Sequence, residues 1–368
     1  MGTLITDMQK LYKYRPLSEF LFKELQYQEL YFASYEALND PFDLKVRIDF
    51  TPQKPAYLSQ LIHILFKSTL LLKRGKYTQK ESTNNSRLVL FIRDKELCKK
   101  FEELIYAHLN QLKGNDEHVF FEAVETAITK AIAELKLKFK FDLEKFKSEI
   151  IRITAKFLNN SYATCFSEDH ANFLMWSHYA SKHTGVCLEF TLKQKGQFRY
   201  EMEGRREYKD GKTENGTGHV DFMQYEEDVT PVVYQAVQPC LNFFDFSAVF
   251  ANEYDTDLIN LTKSRWHGYA RHLETLFATK TAAWQYEREW RAIEINFSQP
   301  KQPEDRIRHY PIESLTGIYF GTRTPEAVKV RIYELYKNKW HNLTLMDCKL
   351  SDGKELDFQE WEIPDNDE

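Results

Sequence analysis

HVFFEAVETAITKAIAELKLKFK (His118–Lys140) carries apolar residues at three- and four-residue intervals, the repeat that lines one face of an α-helix. The same spacing runs through KELCKKFEELIYAHLNQL (Lys95–Leu112) and AYLSQLIHILFKSTLLLK (Ala56–Lys73), so residues 55–157 read as helical. On both sides the pattern changes to short alternating runs. LYKYR (Leu11–Arg15) and LYFAS (Leu30–Ser34) precede the helical block. SYATCFS (Ser161–Ser167), VCLEF (Val186–Phe190), VTPVVYQ (Val229–Gln235), EWRAIEINF (Glu289–Phe297) and TGIYFG (Thr316–Gly321) follow it. Strand pieces parted by so long a helical stretch are most simply one sheet with an insertion. The expected fold is therefore α+β, with a mixed or antiparallel sheet as a discontinuous core (1–53 and 158–350) and a helical insertion (54–157). An acidic tail segment closes it (351–368), eight acids against one Lys, expected to form a strand or two before a solvated end. Further helices are expected over Leu17–Tyr27, Asn172–Ala180 and 245–280, with a turn at ALNDPFD (Ala37–Asp43) and a polar loop at 204–219.

A chain of 368 residues, 42% hydrophobic, can bury a large core, and a net charge of −5 excludes a uniformly basic nucleic-acid coat. With only 13 Gly the chain has no GxGxxG and no GxxxxGK[ST] phosphate loop. Five scattered cysteines without a CxxC pair fit reduced thiols, and no secretory layout or membrane-length apolar run occurs. A cytoplasmic protein without membrane contact is expected. Residues 51–100 hold 11 Lys and Arg against 3 acids, either a solvated helical face or a place for nucleic acid to dock.

Chemistry concentrates in TKTAAWQYEREWRAIEINF (Thr279–Phe297). Read as a strand throughout, its second half puts Glu287, Glu289 and Arg291 on the face that carries Ile293, Ile295 and Phe297. Charges at the mouth of a buried face are either paired structurally or used. A second cluster lies in CFSEDHANFLMWSHYASKHTGVCLEF (Cys165–Phe190), where His178 sits among apolar helix neighbours as a core histidine or a catalytic one. Arg15 and the turn residues Asn39, Asp40 and Asp43 form a third group, a capped turn or an acidic metal loop. No HExxH, zinc spacing or calcium loop is present, so no metal site is assigned.

These blocks resemble a family of bacterial intracellular proteins, domain of unknown function 2971. The resemblance rests on LYKYRP (Leu11–Pro16), LYFASYEALNDPFD (Leu30–Asp43), Cys165–Phe190, KTAAWQYEREWRA (Lys280–Ala292) and LTGIYFG (Leu315–Gly321), in that order. Ser181 stands where the family often has Asp. The order of Arg15, Ser167 and Glu287-Arg288-Glu289 is also similar to ADP-ribosyltransferases of the Arg-Ser-Glu type. That second resemblance implies NAD as substrate, with ADP-ribose passed to a protein or nucleic acid or NAD simply hydrolysed, and a toxin or phage-defence role. It implies that Arg15 holds a phosphate or ribose, Ser167 braces the nicotinamide pocket and Glu289 stabilises the charge formed as nicotinamide leaves. Glu287 would orient the acceptor, and Trp176 and Tyr179 would stack on a flat ring. CFS in place of a Ser-Thr-Ser-like triplet departs from that pattern. Two other readings stand beside it: a metal-dependent nuclease using Asp40, Asp43, Glu189 and Glu287, and a binding module without catalysis.

Overall fold

The computed structural model describes residues 9–51, 61–62, 64–66, 68–69, 79–112, 117–192, 197–205, 220–243, 271–295, 301–351 and 355–363. They fall into two compact units, one of Met1–Leu44, Ser161–Val237 and Phe277–Glu368, the other of Lys45–Asn160 and Gln238–Leu276.

The first unit is built on a mixed sheet whose strands are numbered along the chain. Its centre is β6 (Val186–Thr191), β1 (Lys10–Arg15), β5 (Ser161–Ser167) and β12 (Glu289–Ile295), side by side and antiparallel. β14 (Leu315–Phe320), β15 (Thr344–Leu350) and β16 (Leu356–Glu360) continue it beyond β6, with β14 and β15 parallel. Beyond β12 come β8 (Val220–Pro231), β7 (Gln197–Arg205), β13 (Ile307–His309) and β2 (Glu29–Tyr31).

The alternation of β1 divides its side chains as the pleat requires. Leu11 enters the larger core with Phe32, Phe166, Phe190 and Ile318, while Tyr12 and Tyr14 pack on the other face with Met175, Trp176 and Cys187. Ser18 caps helix α1 (Glu19–Tyr27) by accepting from the Leu21 N–H, and Gln28 ends it in the left-handed region at φ 53°.

The second unit holds α2 (Gln79–Arg93), α3 (Lys95–Leu109), α4 (Glu117–Glu134) and α5 (Leu143–Asn159). Asp94 and Asp142 cap α3 and α5. The three- and four-residue spacing buries Phe101, Ile105 and Leu109 on α3 and Phe120, Val124, Ile128 and Ala131 on α4.

The α+β class with a helical segment inserted in the N-terminal half is as expected, but the unit boundaries differ. Residues 238–276 join the helices because β10 (Cys240–Asn242) pairs in parallel with β4 (Arg47–Asp49), and Phe243 packs on Phe50 and Phe120. Within 351–368 the expected strand is present as β16, and 352–354 and 364–368 lie outside the described residues. β16 pairs with β15, and Trp361 is buried with its indole N–H on Glu326. Helix α7 (Glu326–Tyr336) and the β7–β8 hairpin were not anticipated. Most of the expected loop 204–219 and helix 245–280 lies outside the described residues; of the latter, 271–277 are helical.

Gly185, just before β6, lies against β1 so closely that an added Cβ would stand 2.2 Å from the Arg15 carbonyl oxygen. Gly185→Ala is expected to lower stability by roughly 1–3 kcal/mol through overpacking, read from the urea midpoint. An unchanged midpoint would show that β1 yields at no cost.

Candidate functional site

β12 occupies one edge of β5 along its whole length, from Ser161 to Ser167. The other edge is shared. β3 (Ala33–Ser34) pairs with it at Tyr162 and Ala163, and β1 pairs with it only at Ser167, opposite Tyr12. Thr164, Cys165 and Phe166 therefore have no strand on that side. A cavity of about 940 Å³ opens there, walled by β1, β5, α1, the 37–43 turn and the approach to β12. Its size is that of a ligand cleft.

Four buried charges, Asp43, Lys280, Glu287 and Glu289, stand at one wall, with a fifth, Arg291, behind them. β11 (Thr279–Thr281), paired in parallel with β9 (Val233–Gln235), delivers Lys280. Its Nζ lies 2.6 Å from Glu287 Oε2, 3.1 Å from Glu289 Oε2 and 3.3 Å from Asp43 Oδ2. Arg291 is wholly buried. It grips Glu289 through two hydrogen bonds of 2.7 and 3.0 Å, donates to the Phe277 carbonyl and contacts Asp43 Oδ1 at 2.6 Å.

The two glutamates converge by a route other than the expected strand. Glu287 ends a 3-10 turn (Ala282–Glu287), and Arg288 then takes the left-handed conformation at φ 45° before β12 begins at Glu289. Left-handed backbone costs a residue with a side chain about 1–2 kcal/mol. Here the reversal turns Glu287 back onto the same ammonium as Glu289. Ser167 secures the turn, donating to the Glu287 carbonyl at 2.7 Å, and the Tyr234 hydroxyl accepts from the Glu289 N–H.

The two carboxyls titrate in opposite directions. Burial opposes ionisation of Glu289, but the Arg291 guanidinium and Lys280 ammonium override it and hold the carboxyl well below its usual range. Burial, with Lys280 opposing it and Glu289 reinforcing it, pushes Glu287 up to about 7. Its Oε1 accepts from the Tyr179 hydroxyl. Burial also raises Asp43.

Of the residues expected to act together, Arg15, Asn39, Ser167, Tyr179, Glu287 and Glu289 all line this cavity. Arg15 is already engaged: Nε and Nη2 both hold Glu24 of α1, leaving Nη1 without a hydrogen bond among the described residues. The remaining expected residues stand elsewhere. Trp176 is fully buried, edge-on to Tyr14 and bonded to the His170 carbonyl, so it is a core residue with no face for a ligand. His178 is exposed on α6 (Phe173–Tyr179), beside Tyr286 and away from the cavity wall. Asp40 turns its carboxylate onto the Phe42 N–H and the Thr281 hydroxyl, a capped turn. Arg291 lies behind Glu289 and acts through it.

The four acids of the nuclease reading do not assemble. Glu189 is held apart by Lys10, Thr316 and Tyr319, and among the described residues no group of three or more His, Cys, Asp or Glu is arranged to take a metal. Among the described residues no helix is long and apolar enough to cross a membrane, and all five cysteines are free. Lys280 and Lys13 were missed. Lys280 reaches the glutamates through the β9–β11 pairing, which no local spacing announces.

Arg291→Met is expected to cost about 3–5 kcal/mol, because it leaves Glu289 and Asp43 buried with one shared cation. Denaturant titration checks this, and adding Asp43→Asn should recover part of the loss.

No curated protein and no solved structure matches the chain. A family model described as "Protein of unknown function (DUF2971)" matches residues 175–292, leaving the blocks at 11–43 and 315–321 outside the matched stretch. Residues 175–292, which carry Tyr179, Lys280, Glu287, Glu289 and Arg291, are a DUF2971 domain.

Proposed function

We propose that the cavity is the active site of an enzyme that breaks the nicotinamide–ribose bond of NAD and passes ADP-ribose to water or to a macromolecular acceptor. The observation that carries this reading is the pair of glutamates on one lysine, Glu289 held ionised and Glu287 titrating near 7, in the wall of a ligand-sized cleft. Carboxyls whose surroundings push their titrations apart are how one site provides both charge stabilisation and proton transfer at neutral pH.

In the reaction the C1–N bond breaks and its electron pair leaves with nicotinamide, so positive charge grows on the ribose ring. The fixed negative charge of Glu289 favours that transition state over the ground state. The acceptor hydroxyl bonds to C1 and its proton goes to Glu287, which is a competent base once ionised. Arg291 keeps Glu289 oriented, Ser167 holds the turn that presents Glu287, and Tyr179 offers both a hydrogen bond to Glu287 and a flat ring at the cavity wall. The likeness of Arg15, Ser167 and Glu289 to the Arg-Ser-Glu order supports the same reading.

Glu289→Gln is expected to lower nicotinamide release by on the order of 100-fold or more, with the circular dichroism spectrum retained. Unchanged release would remove the proposal. Because the base must be ionised, kcat/KM should rise as pH increases through about 7, and Glu287→Gln should abolish that rise.

A further inference from the structure

Lys13 has no part in the mechanism above, yet it projects into the gap between β1 and β5. Its Nζ donates to Thr164 Oγ1 at 2.8 Å and to the Cys165 carbonyl at 3.0 Å, two acceptors on the stretch of β5 that has no strand beside it. An ammonium has three N–H donors. The third has no hydrogen-bond acceptor among the described residues, the ammonium standing 5.2 Å from the Phe166 ring centroid, and no carboxylate among them forms an ion pair with Lys13, although Glu24, Glu29, Asp43, Glu287, Glu289 and Glu304 line the same cavity. Glu304 is exposed, and the others have another cationic partner: Arg15 for Glu24, Lys23 for Glu29, and Lys280 for Asp43, Glu287 and Glu289. Two residues along the same face of β1, at about 6.6 Å along the strand, Arg15 lines the cavity with its Nη1 unused.

We propose that Lys13 and Arg15 form an anion subsite that takes the phosphate groups of the substrate, Lys13 through its third N–H and Arg15 through Nη1. This rests on the NAD reading for the identity of the substrate, and extends it to a residue outside the Arg-Ser-Glu pattern. The groups that face Lys13 are Arg15 on its own strand, Cys165 on β5, Glu24 on α1 and Glu289 on β12. Burial, reinforced by Arg15, lowers Lys13 to about 8. An arriving phosphate anion opposes that lowering, so anion binding takes up a proton above about pH 8.

The test is calorimetric titration of the full chain with inorganic pyrophosphate and ADP-ribose, with nicotinamide riboside as a phosphate-free control. Near pH 8.5 the wild type should bind both anions, and ADP-ribose, which does not titrate there, should bind with a heat that depends on the buffer's ionisation enthalpy. Lys13→Met should weaken both by tenfold or more and leave the riboside within about twofold. Lys13→Arg should keep the affinity and lose the proton uptake, because a guanidinium does not titrate there. Equal affinity in Lys13→Met, or equal losses for anions and riboside, would overturn the subsite. Should Lys13→Met not fold, Lys13→Arg decides with ADP-ribose as the ligand, since ADP-ribose has no group of its own titrating near pH 8.5: proton uptake that persists overturns the subsite. If pyrophosphate binds through Lys13 while NAD is not consumed, the subsite stands and the NAD reading falls. If NAD is consumed and its KM is untouched in Lys13→Met, the reverse holds.

Discussion

The ammonium of Lys280 is the point on which the cavity wall depends. It draws together a turn residue, Asp43, and two glutamates that flank the start of β12. With Arg291 the group counts three carboxyls against two cations. One surplus negative charge in a buried place is expensive, and it is relieved where cationic contact is thinnest. Glu289 touches both cations, as does Asp43, whereas Glu287 touches only Lys280. Burial raises both Glu287 and Asp43, and Glu287, with one cation against it, reaches about 7.

A network of this kind is a weak source of stability, since apolar residues of the same volume would often hold the wall as well. Ser167 illustrates the division of labour: its hydroxyl is spent on main-chain groups, donating to Glu287 and accepting from Asp169, and so shapes the site without facing chemistry. Trp176 does the same from further back, filling the space beneath Tyr14.

Much of this was legible in the chain. The alternation of SYATCFS and EWRAIEINF defines two neighbouring central strands, and the spacing of Phe101, Ile105 and Leu109 defines a helix, because each pattern answers to a single local period. Glu287 and Glu289 were correctly placed together but for the wrong reason. Strand periodicity puts them on one face, whereas a left-handed Arg288 does so in fact, and nothing about an arginine signals positive φ. Trp176 and His178 exchange the exposures that the aromatic and ionisable roles would ask of them, since helix rotation against β1 is set by tertiary packing. Lys280 and Lys13 were invisible for a related reason. A lysine's partners depend on which strands become neighbours, and β9–β11 and β1–β5 are joined across long stretches of chain.

The interrupted edge of β5 has a consequence for how such a cleft evolves. Between the rungs at Ala163 and Ser167 no strand pairs with this edge among the described residues, and the Cys165 carbonyl faces the opening, where it accepts from Lys13. A visitor that lies flat along this seam is recognised partly by polypeptide backbone, which no point substitution deletes. Diverging descendants can thus exchange the surrounding side chains, and with them the chemistry, while inheriting the same berth.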